Sequence, residues 1–283
     1  MTRSSLSDLL AELFAAPRTS LAALPASVVD ARLAGLRLLL AEDNEINAEI
    51  AVALLTSQGV TVDVVTNGFE AIARLQQGEH YDGVLMDVQM PVMDGLTATR
   101  RLREAGFTLP ILAMTANALT EDRAMTREAG MNDHITKPIE PARLRDVIAA
   151  WCKPGSTGAK NSSRTPPPTP AVEPTLDRAD GLARMGDDVV LYERMLRRFS
   201  KDHAGDPETL RTAFDAQDWG ALAAGAHKLK GVAATMGAKR VAALASALDK
   251  DAKAKRLVAG RLDELASAMQ ELVGEIRASR PKM

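Results

Sequence analysis

A proline-rich stretch, residues 153–175, divides the chain into two parts. It holds six of the fourteen prolines and almost no large apolar side chains. A segment of this composition cannot bury enough surface to offset the conformational entropy that it loses on ordering. We therefore expect a flexible linker between two folded regions, and 283 residues are enough for two domains of ordinary size.

Residues 36–152 alternate short apolar runs with amphipathic segments. Five such units predict a parallel sheet that is covered by helices on both faces, the doubly wound α/β class. The predicted strands are 37–41, 61–66, 83–87, 110–114 and 133–136. The predicted helices are 45–57, 68–77, 95–104, 120–129 and 140–151.

Residues 176–280 have helical periodicity and no strand pattern, which predicts an all-α domain. The predicted helices are 188–203, 206–216, 219–235, 238–254 and 257–279. Apolar residues three and four apart on the last two helices indicate the core of an antiparallel bundle. A coiled-coil dimer seam is the alternative, but about two heptads are too few to favour it. Residues 1–35 predict one helix, about 4–15, and then a loop.

Composition excludes several classes of function. The 35 Lys and Arg nearly balance the 37 Asp and Glu, so nothing indicates binding to nucleic acid. The single cysteine, Cys152, rules out an internal disulfide framework, fits a reducing compartment and is interpreted as a packing residue. No apolar run approaches the roughly 20 residues of a membrane span, so we expect a cytoplasmic chain without membrane contact.

Acidic residues follow two predicted strands. Asp87 ends the strand 83–87, and Glu42 and Asp43 follow the strand 37–41. If these two strands are neighbours in the sheet, their carboxyl ends meet at one edge and the three carboxylates converge there. Crowded like charges favour a hard divalent cation such as Mg²⁺. The alternative is that Glu42, Asp43 and Asn44 only cap the next helix.

Two further strands end in groups that bind anions. Thr115 lies at the end of the fourth strand and Lys137 directly after the fifth. A carboxylate, a metal, a hydroxyl and an ammonium together meet the needs of phosphoryl transfer, which depends on positioning and on charge neutralisation.

Residues 37–151 resemble the receiver domain of two-component signalling, most closely the receivers within hybrid histidine kinases. The motifs that carry this resemblance are Ala41–Asn44, Leu85–Pro91, Met93–Gly95, Thr115–Ala116 and Lys137–Pro138. The resemblance implies a flavodoxin-like fold with strand order 2-1-3-4-5, an order for which receivers are a standard example. It also implies that the Lys137–Pro138 peptide bond is cis, as in many relatives.

The resemblance assigns roles to the residues of the acidic edge. Asp87 would accept the phosphoryl group, and Thr115 and Lys137 would contact its oxygens. The expected ligands of Mg²⁺ are Glu42, Asp43, Asp87 and the backbone carbonyl of Gln89. His134 stands where many receivers have Tyr or Phe, which predicts a relay intermediate without a large output switch.

Of the four histidines, only His227 lies in a run with chemical meaning. On a helix it points away from the apolar stripe and towards solvent, with Lys230 and Gly231 on its own side. Glycine inside a helix costs about 1 kcal/mol relative to alanine, and here it would make room for another protein. Lys230 would attract a phosphoryl group on the ring, although a surface histidine beside lysine is more often merely solvated. The apolar stripe consists of Leu222, Ala226, Leu229, Ala233 and Met236.

Residues 176–280 resemble a histidine-containing phosphotransfer domain. The runs that carry this resemblance are Ala226–Gly231 and Gly237–Ala238. The resemblance implies that His227 is phosphorylated and that the domain neither hydrolyses ATP nor phosphorylates itself.

A receiver and a phosphotransfer domain on one chain predict a phosphorelay intermediate that passes a phosphoryl group between Asp87 and His227. The expected partners are an upstream histidine kinase core and a downstream response regulator, and the residues set no direction of flow. No glycine-rich nucleotide-binding region is visible, so this chain should not be a self-sufficient kinase. Residues 3–16 resemble the last helix of another receiver, which suggests part of a larger hybrid kinase; the alternative is an amphipathic helix that docks on the receiver.

Two rival functions come from other classes. A pseudo-receiver joined to a docking bundle would bind signalling partners without chemistry, but pseudo-receivers usually lose one of the residues Asp43, Asp87, Thr115 and Lys137. A Mg²⁺-dependent hydrolase with an aspartate nucleophile generally has a second aspartate two residues further on, where this chain has Gln89.

Overall fold

The computed structural model describes residues 30–116, 120–152, 175–255 and 259–279. Residues 153–174 of the predicted linker and the predicted helix at about 4–15 lie outside the described residues. In the first two ranges, strands and helices alternate as the sequence predicts. The strands are β1 (Arg37–Ala41), β2 (Thr61–Val65), β3 (Gly83–Asp87), β4 (Ile111–Thr115) and β5 (Asp133–Thr136). The helices are α1 (Glu45–Thr56), α2 (Gly68–Gln76), α3 (Gly95–Glu104), α4 (Thr120–Glu128) and α5 (Pro141–Trp151).

The five strands form one parallel sheet of order β2-β1-β3-β4-β5. Every residue of β3 and β4 is buried, whereas the edge strand β2 is largely exposed or half-buried. The chain leaves β1 on one side for β2 and returns on the other for β3. This reversal makes the carboxyl ends of β1 and β3 the crevice in which ligands of such sheets bind.

Six helices follow among the described residues of the second region. They are α6 (Arg178–Arg184), α7 (Val189–Asp202), α8 (Asp206–Asp215), α9 (Trp219–Thr235), α10 (Lys239–Lys253) and α11 (Ala259–Ala278). Helix α6 was not predicted because seven residues are too few to show a period. The Asp177 side chain caps it, and Gly181 lets it pack closely: a Cβ there would lie 2.5 Å from the carbonyl oxygen of Met236.

The predicted apolar stripes form the core of this helical region. All five residues of the α9 stripe are completely buried. On α11, Leu262, Leu265, Met269, Leu272 and Ile276 are buried as well. Helix α9 packs against α8 and α10, and α11 packs against α10, α8 and α7. The short connections between these helices are those of an antiparallel bundle.

Cys152 is buried at the end of α5, and burial, with a smaller contribution from Asp82, raises the pKa of its thiol to about 12. It is therefore a packing residue, as expected. None of the described helices is long and apolar enough to cross a membrane.

The two regions touch through α1, which packs against α7 and α9. This contact places the carboxyl edge of the sheet opposite the helix that carries His227.

Gly95 begins α3 at a point where the helix meets the end of β3. A Cβ on Gly95 would lie 2.1 Å from the carbonyl oxygen of Asp87, which is inside van der Waals contact. We expect Gly95→Ala to lower the free energy of unfolding by about 2 kcal/mol, because fixed backbone cannot move away. Urea unfolding of a Trp219→Phe background, followed by the fluorescence of Trp151, measures this region alone.

Gly274 on α11 provides the matched control, because a Cβ there would meet no atom within 4 Å. Gly274→Ala should stabilise the bundle by roughly 0.5–1 kcal/mol through helix propensity. Urea unfolding of a Trp151→Phe background, followed by the fluorescence of Trp219, measures this change in the free energy of unfolding. Equal destabilisation by both substitutions would contradict the packing explanation.

Candidate functional site

Three carboxylates converge at the carboxyl edge of the sheet. Asp87 is the last residue of β3, and Glu42 and Asp43 follow β1, which is its neighbour. One oxygen of each lies within 4.8 Å of the others. Glu42 and Asp87 are buried and Asp43 is half-buried. This set of hard oxygen donors suits a divalent cation.

Lys137 provides the opposite charge. Its Nζ lies 2.6 Å from Asp87 Oδ2 and 2.5 Å from Glu42 Oε2. The Lys137–Pro138 peptide bond is cis, and the Lys137 amide donates to the Thr115 carbonyl oxygen at 2.7 Å. The ends of β1, β3 and β5 therefore meet at the Lys137 ammonium group, and the end of β4 is bonded to the Lys137 backbone.

Burial and charge shift the pKa values of these groups. Burial raises the pKa of Glu42 above its ordinary value; the Lys137 charge opposes this shift and Asp87 adds to it. Burial alone would lower the pKa of Lys137, but the two carboxylates outweigh it, and that pKa lies above its ordinary value. The pKa of Asp43 is raised by burial and by Asp87, against the opposing charges of Lys137 and Lys228.

Helix capping accounts for only one of the three polar residues after β1. Asn44 is the N-cap of α1, and its side chain accepts from the amides of Ile46 and Asn47. The Glu42 side chain instead accepts from Asn47 Nδ2 at 3.2 Å and pairs with Lys137.

The remaining predicted residues of this edge lie beside the acids. The Gln89 amide donates to Asp87 Oδ1 at 3.1 Å, which brings its backbone next to the carboxylate. Thr115 is buried at the end of β4. His134, on β5, is half-buried, and its Nδ1 lies 3.3 Å from Asp133 Oδ1.

His227 lies on the face of α9 opposite the apolar stripe, as predicted, but its side chain is only 19% exposed. The prediction of a solvent-facing ring is wrong in degree, because the first region covers this face. The imidazole Nδ1 lies 3.4 Å from Asp249 Oδ2, which is a long contact for a hydrogen bond. Lys253 pairs with the same carboxylate at 2.9 Å.

A cavity of about 380 Å³ joins the two regions. Asp87 and Thr115 line it from the sheet edge, and His227 and Lys230 line it from α9. The two residues that the sequence predicts as phosphoryl acceptors therefore line one cavity, together with a hydroxyl and an ammonium group.

Sequence reasoning missed Asp249. It lies on α10, four residues after Ala245 and eight after Val241, both of which are completely buried. An acidic residue at an inward-facing helix position is uncommon unless it is paired. The spacing of Asp249 from these two apolar residues could therefore have marked it as a candidate functional residue. Burial would raise the pKa of Asp249, but the contacts with His227 and Lys253 outweigh it, and the pKa lies below its ordinary value.

Comparison with family models finds one family in the α/β region and another in the helical region. Residues 38–149 match the model of the response regulator receiver domain, and residues 194–278 match the model of the Hpt domain. The chain therefore carries a receiver domain followed by an Hpt domain.

The similar proteins include hybrid sensor histidine kinases. The sensor histidine kinase GacS of Pseudomonas protegens is 32% identical over 253 residues, which cover 86% of this chain and 27% of that protein. Sensor protein GacS of Pseudomonas syringae pv. syringae is 35% identical over 208 residues, which cover 69% of this chain and 22% of that protein. This chain thus spans about a quarter of the length of these relatives. A receiver followed by an Hpt domain, as in hybrid kinases, is the arrangement of a phosphorelay intermediate.

A solved structure with a similar fold is the magnesium-bound receiver domain of a sensor histidine kinase from Pseudomonas aeruginosa. It is 43% identical, covers 42% of this chain and 98% of that chain, and has a TM-score of 0.39.

Lys137 should determine the stability of the sheet edge. Lys137→Met leaves two buried carboxylates without a counter-charge, so we expect it to lower the free energy of unfolding by about 3 kcal/mol. The measurement is urea unfolding with Mg²⁺ chelated, followed by Trp151 fluorescence in a Trp219→Phe background.

Arg37 offers a matched control, because it also pairs with two carboxylates, those of Asp63 and Glu79, but is 37% exposed. Arg37→Met should lower the free energy of unfolding by about 1 kcal/mol or less, because exposed ion pairs contribute little to stability. If the two substitutions cost the same, burial of the Lys137 cluster is not what makes it important.

Proposed function

We propose that this chain moves a phosphoryl group between Asp87 and His227, with Mg²⁺ bound at the carboxyl edge of the receiver domain. The observation that carries the proposal is the cavity lined by both residues. A nucleophile, an acceptor and cationic side chains in one cavity are what phosphoryl transfer requires.

Asp87 would be the acceptor in the first step. A carboxylate oxygen of Asp87 attacks the phosphorus of a phosphohistidine, the new P–O bond forms, and the P–N bond breaks. The donor histidine leaves as neutral imidazole with the electron pair of that bond. Lys137 and Thr115 would stabilise the negative oxygens of the transferred group, as preorganised donors do.

His227 would take the group in the second step. Its Nε2 lone pair attacks the phosphorus, the bond to Asp87 breaks, and the aspartate carboxylate is regenerated. The ring gains positive charge while Nδ1 keeps its proton. Asp249, beside Nδ1, would hold that proton and stabilise the charge, which leaves Nε2 as the attacking nitrogen.

The carboxylate cluster fits Mg²⁺. Both oxygens of Glu42 already have partners, Lys137 and Asn47. Asp43, Asp87 and the backbone carbonyl of Gln89 would therefore hold the ion, with Glu42 completing the acidic surroundings. When bound, the ion supplies positive charge against the phosphoryl oxygens.

Partners follow from this chemistry. We propose a histidine kinase core as the donor, on the same full-length protein or on another, and the receiver of a response regulator as the exchange partner of His227. The residues allow the phosphoryl group to move in either direction.

A cytoplasmic location follows from dependence on a kinase that uses ATP. We also propose the domain limits 36–152 and 176–280, with residues 153–175 as the linker and 1–35 as an N-terminal segment.

Incubation with Mg²⁺ and acetyl phosphate tests the proposal. Wild type should acquire an acid-labile phosphohistidine, which intact mass and acid treatment detect. Asp87→Asn should acquire none. His227→Gln should accumulate an acyl phosphate that persists in acid and is lost in hydroxylamine, because the group stops at Asp87.

Failure of acetyl phosphate calls for a second donor, a phosphorylated histidine kinase core. If neither donor modifies the wild-type chain, the relay is wrong and the alternative remains: a pseudo-receiver and docking module that binds signalling partners. Phosphohistidine in the Asp87→Asn variant would also contradict transfer through Asp87.

Asp249 should affect only the second step. Asp249→Asn removes a charged partner of the ring, worth about 1.5 kcal/mol or more, so phosphohistidine formation should slow about tenfold or more. Acyl phosphate formation on Asp87 should keep its rate. The ¹⁵N shifts of the His227 ring should also report a change of tautomer.

Asp251 is the matched control, because it is a buried acid on the same helix that pairs with Arg261 at 3.2 Å. Asp251→Asn should leave the ring tautomer unchanged. If it slows transfer as much as Asp249→Asn does, general disturbance of α10 explains both results.

A further inference from the structure

Charged side chains line the contact between α1 and α7. Glu49 pairs with Arg194 and with Arg198, each at 2.8 Å. Glu45 also pairs with Arg198. Two acids spaced i, i+4 on one helix thus face two arginines spaced i, i+4 on the other, so each set lies on one helical face.

We propose that Arg194 and Arg198 form a charge clamp by which the Hpt domain recognises receiver domains with acidic residues at the first turns of their first helix. The occupant in this structure is the receiver of the same chain, through Glu45 and Glu49. This inference rests on the proposed function, because the clamp is the contact that brings His227 to Asp87.

The rest of the interface explains why the clamp fixes a single register. Asn47 lies between the two acids in sequence, and its Nδ2 is 3.7 Å from the position that a Cβ on Gly231 would occupy. The Thr235 hydroxyl approaches Asn47 Oδ1 at 3.4 Å. Gly231 therefore lies where the first helix of the receiver packs, although a Cβ there would make only ordinary van der Waals contact with Asn47.

A second contact lies at the far end of α1. A Cβ on Gly186, in the turn between α6 and α7, would be 3.4 Å from Leu54 Cδ2. Helix α1 therefore lies close to the bundle near both of its ends. In this position, the sheet edge that precedes α1 points towards α9.

The ion pairs between α1 and α7 contribute more to the selection of a partner than to the strength of binding. Exposed ion pairs each contribute little to binding strength, but complementary charges steer encounter and reject partners of the wrong sign. Two domains on one chain need little intrinsic affinity, because the connection raises their effective concentration. A regulator that exchanges with His227 must use the same face, so we expect its first helix to carry acids at the positions of Glu45 and Glu49.

Charge reversal on the full chain tests the clamp. The variants are Arg194→Glu with Arg198→Glu, Glu45→Arg with Glu49→Arg, and all four substitutions together. Two quantities are measured: the rate of phosphohistidine formation after loading of Asp87, and the radius of gyration from small-angle X-ray scattering without a phosphodonor. Arg197→Glu is the control, an exposed arginine of α7 that makes no ion pair with the other described residues.

Each double reversal should slow transfer about tenfold or more and enlarge the radius of gyration, since four like charges then meet. The fourfold variant should recover both values, and loading of Asp87 should stay unchanged throughout. Wild-type transfer should not depend on chain concentration, as expected for docking within one chain, and should slow as salt increases.

The two measurements separate this inference from the proposed function. A double reversal that leaves the scattering and the transfer rate unchanged overturns the clamp, whatever the chemistry. No recovery in the fourfold variant also overturns it. A wild type that is compact, expands on charge reversal and recovers, but forms no phosphohistidine, would confirm the clamp and refute the phosphotransfer.

Discussion

The ion cluster around Lys137 is the interaction on which the rest of the site depends. Three carboxylates within 4.8 Å of one another repel, and one ammonium group contacts two of them. The Lys137 backbone amide donates a hydrogen bond to the Thr115 carbonyl oxygen, so the sheet fixes the position from which the Lys137 side chain extends. Asp87 is thereby oriented before any phosphoryl group arrives, with Oδ2 held by Lys137 and Oδ1 by the Gln89 amide.

The receiver forms most of the cavity wall, and the Hpt domain forms the rest. Helix α9 contributes His227 and Lys230 to the cavity that Asp87 lines. Lys228 is close enough to oppose the rise in the pKa of Asp43, so charges of the helical domain act on the acidic edge. The site is therefore an assembled one, and its electrostatics depend on the docking of α1.

The sequence predicted every strand and helix of the receiver to within one residue, because short apolar runs alternate regularly there with amphipathic segments. It also predicted that Glu42, Asp43 and Asp87 converge, because the carboxyl ends of neighbouring parallel strands meet, and the resemblance to receivers made β1 and β3 neighbours. Asp249 and the arginines of α7 were not predicted as functional. Their role depends on which helix faces which, and the period of a single helix carries no information about its neighbours.

The two kinds of charge cluster differ in a way that suits a relay. Around Asp87 the charges are buried and the cost of separating them is high, so the acceptor keeps one geometry. Between α1 and α7 the charges are partly exposed, and separating them costs little. In the proposed relay the receiver must leave His227 before a regulator can take its place. Buried apolar residues of the receiver and of the bundle form one continuous cluster, and the partly exposed ion pairs add selection of the partner at little cost when the two domains separate.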